Sequence, residues 1–88
     1  MEYHLSYHPK IKNDFLELDK IMRHRINEVM LKKLKNYPIE YGVYLSGILH
    51  PHLKLRIGAY RVVYRVDEKK KEVYVLAAGE RKDKKVYV

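Results

Sequence analysis

The sequence predicts an α+β fold: an N-terminal strand, a helical hairpin, then an antiparallel β meander, with the helices packed on one face of a four-stranded sheet. Three observations predict it. Apolar residues recur at helical spacing in the first half of the chain and alternate in the second. Asp19 stands where a second helix would take its cap. Gly58-Ala59 is a two-residue loop with glycine first, which suits a type II′ hairpin.

Taken in order, Tyr3, Leu5 and Tyr7 share one side of a short strand that His8-Pro9 ends. Pro9 suits the first turn of a helix, where a missing N–H costs nothing. Ile11, Phe15, Leu18 and Met22 then form an apolar stripe, and Ile26, Val29, Met30 and Leu34 continue it. Asp19 favours two helices over one, turning near residues 18–21. Asn36-Tyr37-Pro38 closes the helical half. Residues 39–51 read as a connection, with a short strand conceivable at 42–45 and a turn at Ser46-Gly47. Strands follow at 52–57, 60–66 and 73–78, with a charged loop at 67–72 and a basic tail at 80–88.

The 88 residues make a single domain, 1–88, with a small core. Lys and Arg number 19 against 11 Asp and Glu, a formal charge of +8 that points to a polyanionic partner. The absence of cysteine rules out a disulfide scaffold, a thiolate metal site and a Cys nucleophile. Apolar runs are strand-sized, and Met1-Glu2-Tyr3-His4 does not open a signal peptide, so a cytoplasmic protein without membrane contact is expected. Nine Tyr with one Phe and no Trp supply rings that can pack in a core or stack on a base.

The hairpin loop fixes a register. Ile57 should face Tyr60, Arg56 Arg61, Leu55 Val62, Lys54 Val63, Leu53 Tyr64 and His52 Arg65. One face then carries Leu53, Leu55, Ile57, Tyr60, Val62 and Tyr64 and should be core. The other carries His52, Lys54, Arg56, Arg61, Val63 and Arg65, with no acid among them. Like charges placed directly opposite destabilise a sheet, so selection for folding alone would not set Arg56 against Arg61. A solvated face with long cationic arms is the plain reading, and a polyanion-binding face is the sharper one.

Other chemistries find less support. Ser6 and Ser46 are the only serines and neither lies in a nucleophile elbow. There is no glycine-rich phosphate loop and no HExxH, and His50-Pro51-His52 alone is a weak metal site, so neither metal nor cofactor is expected. Metal-free RNA chemistry remains. A ribose 2′-hydroxyl attacks the adjacent phosphate if one group takes its proton, another protonates the leaving 5′-oxygen and cations hold the developing charge.

The stretch from Leu53 through Val66, with its LRIGAYRVVY core, followed by Gly79-x-Arg81 and a downstream Tyr87, resembles the RelE family of the RelE/ParE toxin superfamily. The resemblance covers essentially the whole chain. It implies the toxin of a type II toxin-antitoxin system, a ribosome-dependent mRNA interferase that cleaves by 2′-hydroxyl attack and halts translation. It implies as partners a cognate RelB-like antitoxin, the ribosome and mRNA, with operator DNA reached only through the antitoxin. Lys54, Arg61, Arg81 and Tyr87 match the family's site positions, and His52 stands where the family carries a lysine. On this likeness Lys54 and His52 share the base role, Arg61 clamps the phosphate, Arg81 stabilises the leaving group and Tyr87 stacks or orients a base. Arg56, Arg65, Lys82, Lys84 and Lys85 are further RNA-contact candidates. The core motif is common to the superfamily, so a ParE-like gyrase inhibitor and an inactive homologue acting only as an antitoxin-bound co-repressor are the alternatives.

Overall fold

The structure, a computed structural model, describes residues 2–44 and 52–80. In chain order it places β1 (His4–Tyr7), α1 (Ile11–Leu16), α2 (Lys20–Val29), a π-helical turn (Met30–Leu34), α3 (Pro38–Tyr41), β2 (Val43–Tyr44), β3 (Leu53–Ile57), β4 (Tyr60–Asp67) and β5 (Glu72–Glu80). The strands form one sheet in the order β1-β5-β4-β3-β2. β1 runs parallel to β5, and the other pairs are antiparallel.

The helices lie against one sheet face, as the apolar stripe predicts. Ile11, Leu18, Ile26, Met30 and Leu34 bury against Leu53, Leu55, Ile57, Val62, Tyr64, Val73 and Val75 in one cluster. Each such aliphatic side chain contributes about 1.5–3 kcal/mol by leaving water. The helical run divides where Asp19 predicts: its backbone is extended and its Oδ1 accepts from the Met22 amide at 2.8 Å. α1 has no such side-chain cap and is only six residues long.

The hairpin register is the predicted one from Ile57↔Tyr60 to Leu53↔Tyr64. Gly58 has φ +63°, and Lys71 is the only described non-glycine residue with positive φ, so the loop has the left-handed first position of a II′ turn. The pairing stops at Leu53, and His52 lies just outside the strand.

Three features differ from expectation. The sheet has five strands, because Val43 and Tyr44 pair with Lys54 and Leu53 and extend the β3 edge. Pro38 does not simply close the helical half. It takes the first position of α3, where its lost donor is harmless, and the chain makes one more helical turn. The β4–β5 register also shifts at Val63/Tyr64, where Val63 faces Ala77 and Tyr64 faces Val75. Leu76 is thus the extra residue of a bulge. Val63, Leu76 and Ala77 form a second buried cluster with Tyr74 beside it.

The segment leading to β2 is pinned by Tyr64. Its hydroxyl donates to the Pro38 carbonyl at 2.5 Å, and the residue is fully buried. Gly42 makes room for this bond: a Cβ there would sit on the Tyr64 hydroxyl and 2.9 Å from Leu53 Cδ2. Burial pushes the Tyr64 phenol pKa up, and the nearby Tyr44 adds to the shift.

Candidate nucleic-acid interface

The sheet face away from the helices follows from alternation. Leu53, Leu55 and Ile57 of β3 and Val62 and Tyr64 of β4 point into the main core. Lys54, Arg56, Arg61 and Arg65 therefore project from the other face. Arg56 and Arg61 are direct partners across the strand pair, and Lys54 faces Val63. Neighbouring strands lie about 4.8 Å apart and alternate residues about 6.6 Å apart, so Lys54, Arg56 and Arg61 rise from three corners of a small triangle.

Gly79 faces Arg61 and Ala77 faces Val63, so the β5 residues paired at these positions are small, while Leu76 also lies on this face, buried with Val63 and Ala77. Arg56 is exposed, Lys54 and Arg61 are partly buried, and neither Lys54 nor Arg56 is ion-paired among the described residues.

The other sequence-derived candidates are placed differently. His52 precedes β3 and is buried at 3 % exposure, whereas the hairpin arithmetic sets it on a wet face. That face is not wet throughout, since it also bears the Val63, Leu76 and Ala77 cluster. Arg65 lies four residues along β4 from Arg61, about 13 Å away at strand rise. Its guanidinium carbon stands 5.3 Å from the Tyr74 ring centre, and it lines a recess with Asp67, Lys70 and Glu72. The structure does not join Arg65 to the triangle. Arg81, Lys82, Lys84, Lys85 and Tyr87 lie outside the described residues.

One residue near the site escapes the sequence reading. Asp14 of α1 is 6 % exposed and its Oδ2 accepts from the Ala78 amide at 3.0 Å. β1 pairs with β5 only as far as Val75, so the edge of β5 beyond it is uncovered by a strand. Asp14 satisfies that edge one residue before Gly79, the partner of Arg61. The signal was present in its spacing: Asp14 lies three residues after Ile11 and four before Leu18, on the buried stripe.

Among the described residues no three His, Asp or Glu side chains converge as metal ligands, and no helix is long and apolar enough to cross a membrane.

No protein-family model matches the chain. Curated relatives do. The mRNA interferase toxin RelE of Escherichia coli (strain K12) is 28% identical over 88 residues, covering 99% of this chain and 92% of that protein. Solved structures share the fold. The toxin-antitoxin complex RelBE2 from Mycobacterium tuberculosis matches with TM-score 0.85 at 23% identity, over 92% of this chain and 100% of the matched one. The archaeal RelE-RelB complex from Pyrococcus horikoshii OT3 matches with TM-score 0.74 at 25% identity, over 93% and 98%. The isolated E. coli RelE toxin gives 0.73 at 22% identity, over 94% and 88%. The chain is thus similar to RelE toxins along nearly its whole length, and it shares their sheet and helix arrangement.

Proposed function

We propose that this chain is the toxin of a type II toxin-antitoxin system and cuts mRNA on the ribosome. The observation that carries the reading is the triangle of Lys54, Arg56 and Arg61 on one open sheet face, with two arginines directly opposed. Supporting it, the similar E. coli protein bears the name mRNA interferase, and the similar Mycobacterium and Pyrococcus chains occur in complexes with an antitoxin.

The chemistry is metal-free transesterification. The 2′-oxygen gives its proton to a base on the enzyme and forms a bond to phosphorus. The bond from phosphorus to the 5′-oxygen breaks, and that oxygen takes up a proton. The products are a 2′,3′-cyclic phosphate and a 5′-hydroxyl, and DNA is spared because it has no 2′-hydroxyl. Lys54, on the sheet face away from the helices, serves as base. The burial of His52 gives it a supporting part. Arg61 and Arg56 hold the non-bridging oxygens, whose charge grows as the bond forms. Arg81 stabilises the leaving oxygen and Tyr87 stacks on a base. Arg65, Lys82, Lys84 and Lys85 hold flanking phosphates. A RelB-like antitoxin blocks the face.

The test is expression of the wild type beside Arg61→Ala and Arg81→Ala, with primer extension on translated messages. Growth arrest and message cuts in the wild type, both reduced in the variants, are expected. Arrest with intact messages, or equal cutting by all three proteins, overturns the assignment.

A further inference from the structure

The helical layer carries a second basic recess, on the side of the molecule opposite the triangle. Lys20, Arg23, His24 and Asn27 follow one another at i, i+3, i+4 and i+7 and so share one face of α2. With Phe15 of α1 they line an open recess of about 380 Å³. α2 turns its other face inward, through Met22, Ile26 and Val29. The four α2 residues of the recess are therefore not needed for that packing, while Phe15 borders both the recess and the core.

The side chains in and around it are unevenly satisfied. Asp19 is engaged by the Met22 amide, and Glu28 Oε1 lies 3.1 Å from His24 Nε2. Among the described residues neither Lys20 nor Arg23 has a carboxylate within ion-pair range. The Arg23 Nε is buried and has no hydrogen-bond partner among the described residues. A buried donor left without an acceptor is rare in folded proteins and marks a place for one.

We propose that this recess binds one nucleotide of a single-stranded nucleic acid, its phosphate held by Lys20 and Arg23 and its base against Phe15. The volume suits a small ligand. An acidic peptide would use the two cations but not the ring. A nucleotide uses both, since base stacking on an aromatic face adds to phosphate contact, and the Asn27 amide can donate to or accept from a base edge. Because the recess and the triangle lie on opposite sides of the sheet, the strand held here is not the phosphodiester held there. The proposal stands without the cleavage reading.

The test is fluorescence anisotropy of a labelled oligouridylate and an oligodeoxythymidylate on the full chain, with Arg23→Gln, Lys20→Gln and the double variant Lys54→Ala/Arg61→Ala. NMR spectra of the same proteins report the amides of residues 20–27. Each recess variant should weaken binding several-fold and lower the salt slope by about 0.7 per lost phosphate contact. The recess amides should still shift with oligonucleotide in the Lys54→Ala/Arg61→Ala protein. Equal response to both oligonucleotides assigns the phosphate and base as the recognised groups, and preference for one names the strand. Unchanged affinity in folded Lys20→Gln and Arg23→Gln, or displacement of the oligonucleotide from these amides by polyglutamate at equal charge concentration, overturns the proposal.

Discussion

Arg56 of β3 and Arg61 of β4 face one another directly across the hairpin, so both leave the sheet on the face away from the helices. Directly opposed like charges cost a strand pair roughly 0.2–1 kcal/mol, and an opposed pair of unlike charges gains as much. Arg56→Glu should therefore raise the midpoint of urea unfolding slightly while lowering message cleavage, since the same change removes a cation from the triangle. Unfolding curves and primer extension on the same preparation check both halves. A fall in stability would show that Arg56 is held by favourable contacts and not by function.

The bond between Tyr64 and the Pro38 carbonyl predicts a coupled pair of substitutions. Gly42→Ala drives a methyl onto the Tyr64 hydroxyl, and something must move. Tyr64→Phe removes the hydroxyl but leaves the Pro38 carbonyl without this donor, a loss of about 1–3 kcal/mol. Each should lower stability alone, with Gly42→Ala the worse. The double variant should lose less than the sum, because the hydroxyl that meets the new methyl is gone. Strict additivity in urea melts would refute the packing.

Legibility from sequence followed the length of the signal. The β3–β4 register was readable because Gly58 fixes the turn and nine of the ten flanking residues alternate, Val63 being the exception. Asp19 was readable because a cap has few substitutes. The fifth strand was not secure, since β2 is two residues long and two residues carry no period. α3 is one turn, and Pro38 reads as a stop as readily as a start. The bulge at Leu76 puts two successive apolar residues on one face, against the alternation that sequence reading assumes. In the candidate site, Lys54, Arg56 and Arg61 followed from alternation alone. The burial of His52 did not, because His52 lies just beyond the strand pairs that set the faces.

Tyr64 also sets an alkaline limit. Its pKa is raised above the ordinary phenol value in the folded chain, by burial first and Tyr44 second. Between the unfolded and folded values the native state holds the proton and the unfolded state has lost it. Unfolding is then favoured as pH rises. The contribution is complete below pH 10 and fades as pH climbs through the folded value. Urea midpoints of wild type and Tyr64→Phe, compared from pH 8 upward, should converge with rising pH. A constant gap would mean that the phenol ionises as readily folded as unfolded.

Asp14 ties α1 to the end of β5 that carries Gly79. Asp14→Ala leaves the Ala78 amide without this acceptor and should cost about 1–3 kcal/mol. Asp14→Asn keeps an acceptor oxygen and should recover much of that loss. Hydrogen exchange at the Ala78 amide reads the bond directly: fast in Asp14→Ala, slow in wild type and intermediate in Asp14→Asn. Cleavage should fall with Asp14→Ala more than stability alone explains at a temperature where the variant is fully folded, because Gly79 sits beside Arg61. Cleavage equal to wild type under those conditions would make Asp14 a fold residue only.

The division of labour between Lys54 and His52 follows from their exposure. A general base must touch the hydroxyl it deprotonates, and such a base contributes typically 10²–10⁴-fold. Lys54 stands on the open face and His52 is buried at 3 % exposure. Lys54→Ala should therefore lose cleavage within that range while folding normally. His52→Asn should lose much less and keep the wild-type pH profile. Lys54→His is the informative third protein. With imidazole in the base position, an unperturbed pKa near 6.5 should move the acid limb of the rate profile toward that value if position 54 supplies the base. Single-turnover cleavage across pH 5–9 on programmed ribosomes measures all three. A His52→Asn loss as large as that of Lys54→Ala, with an acid limb unmoved in Lys54→His, would transfer the base to His52 and require its pocket to open when RNA binds.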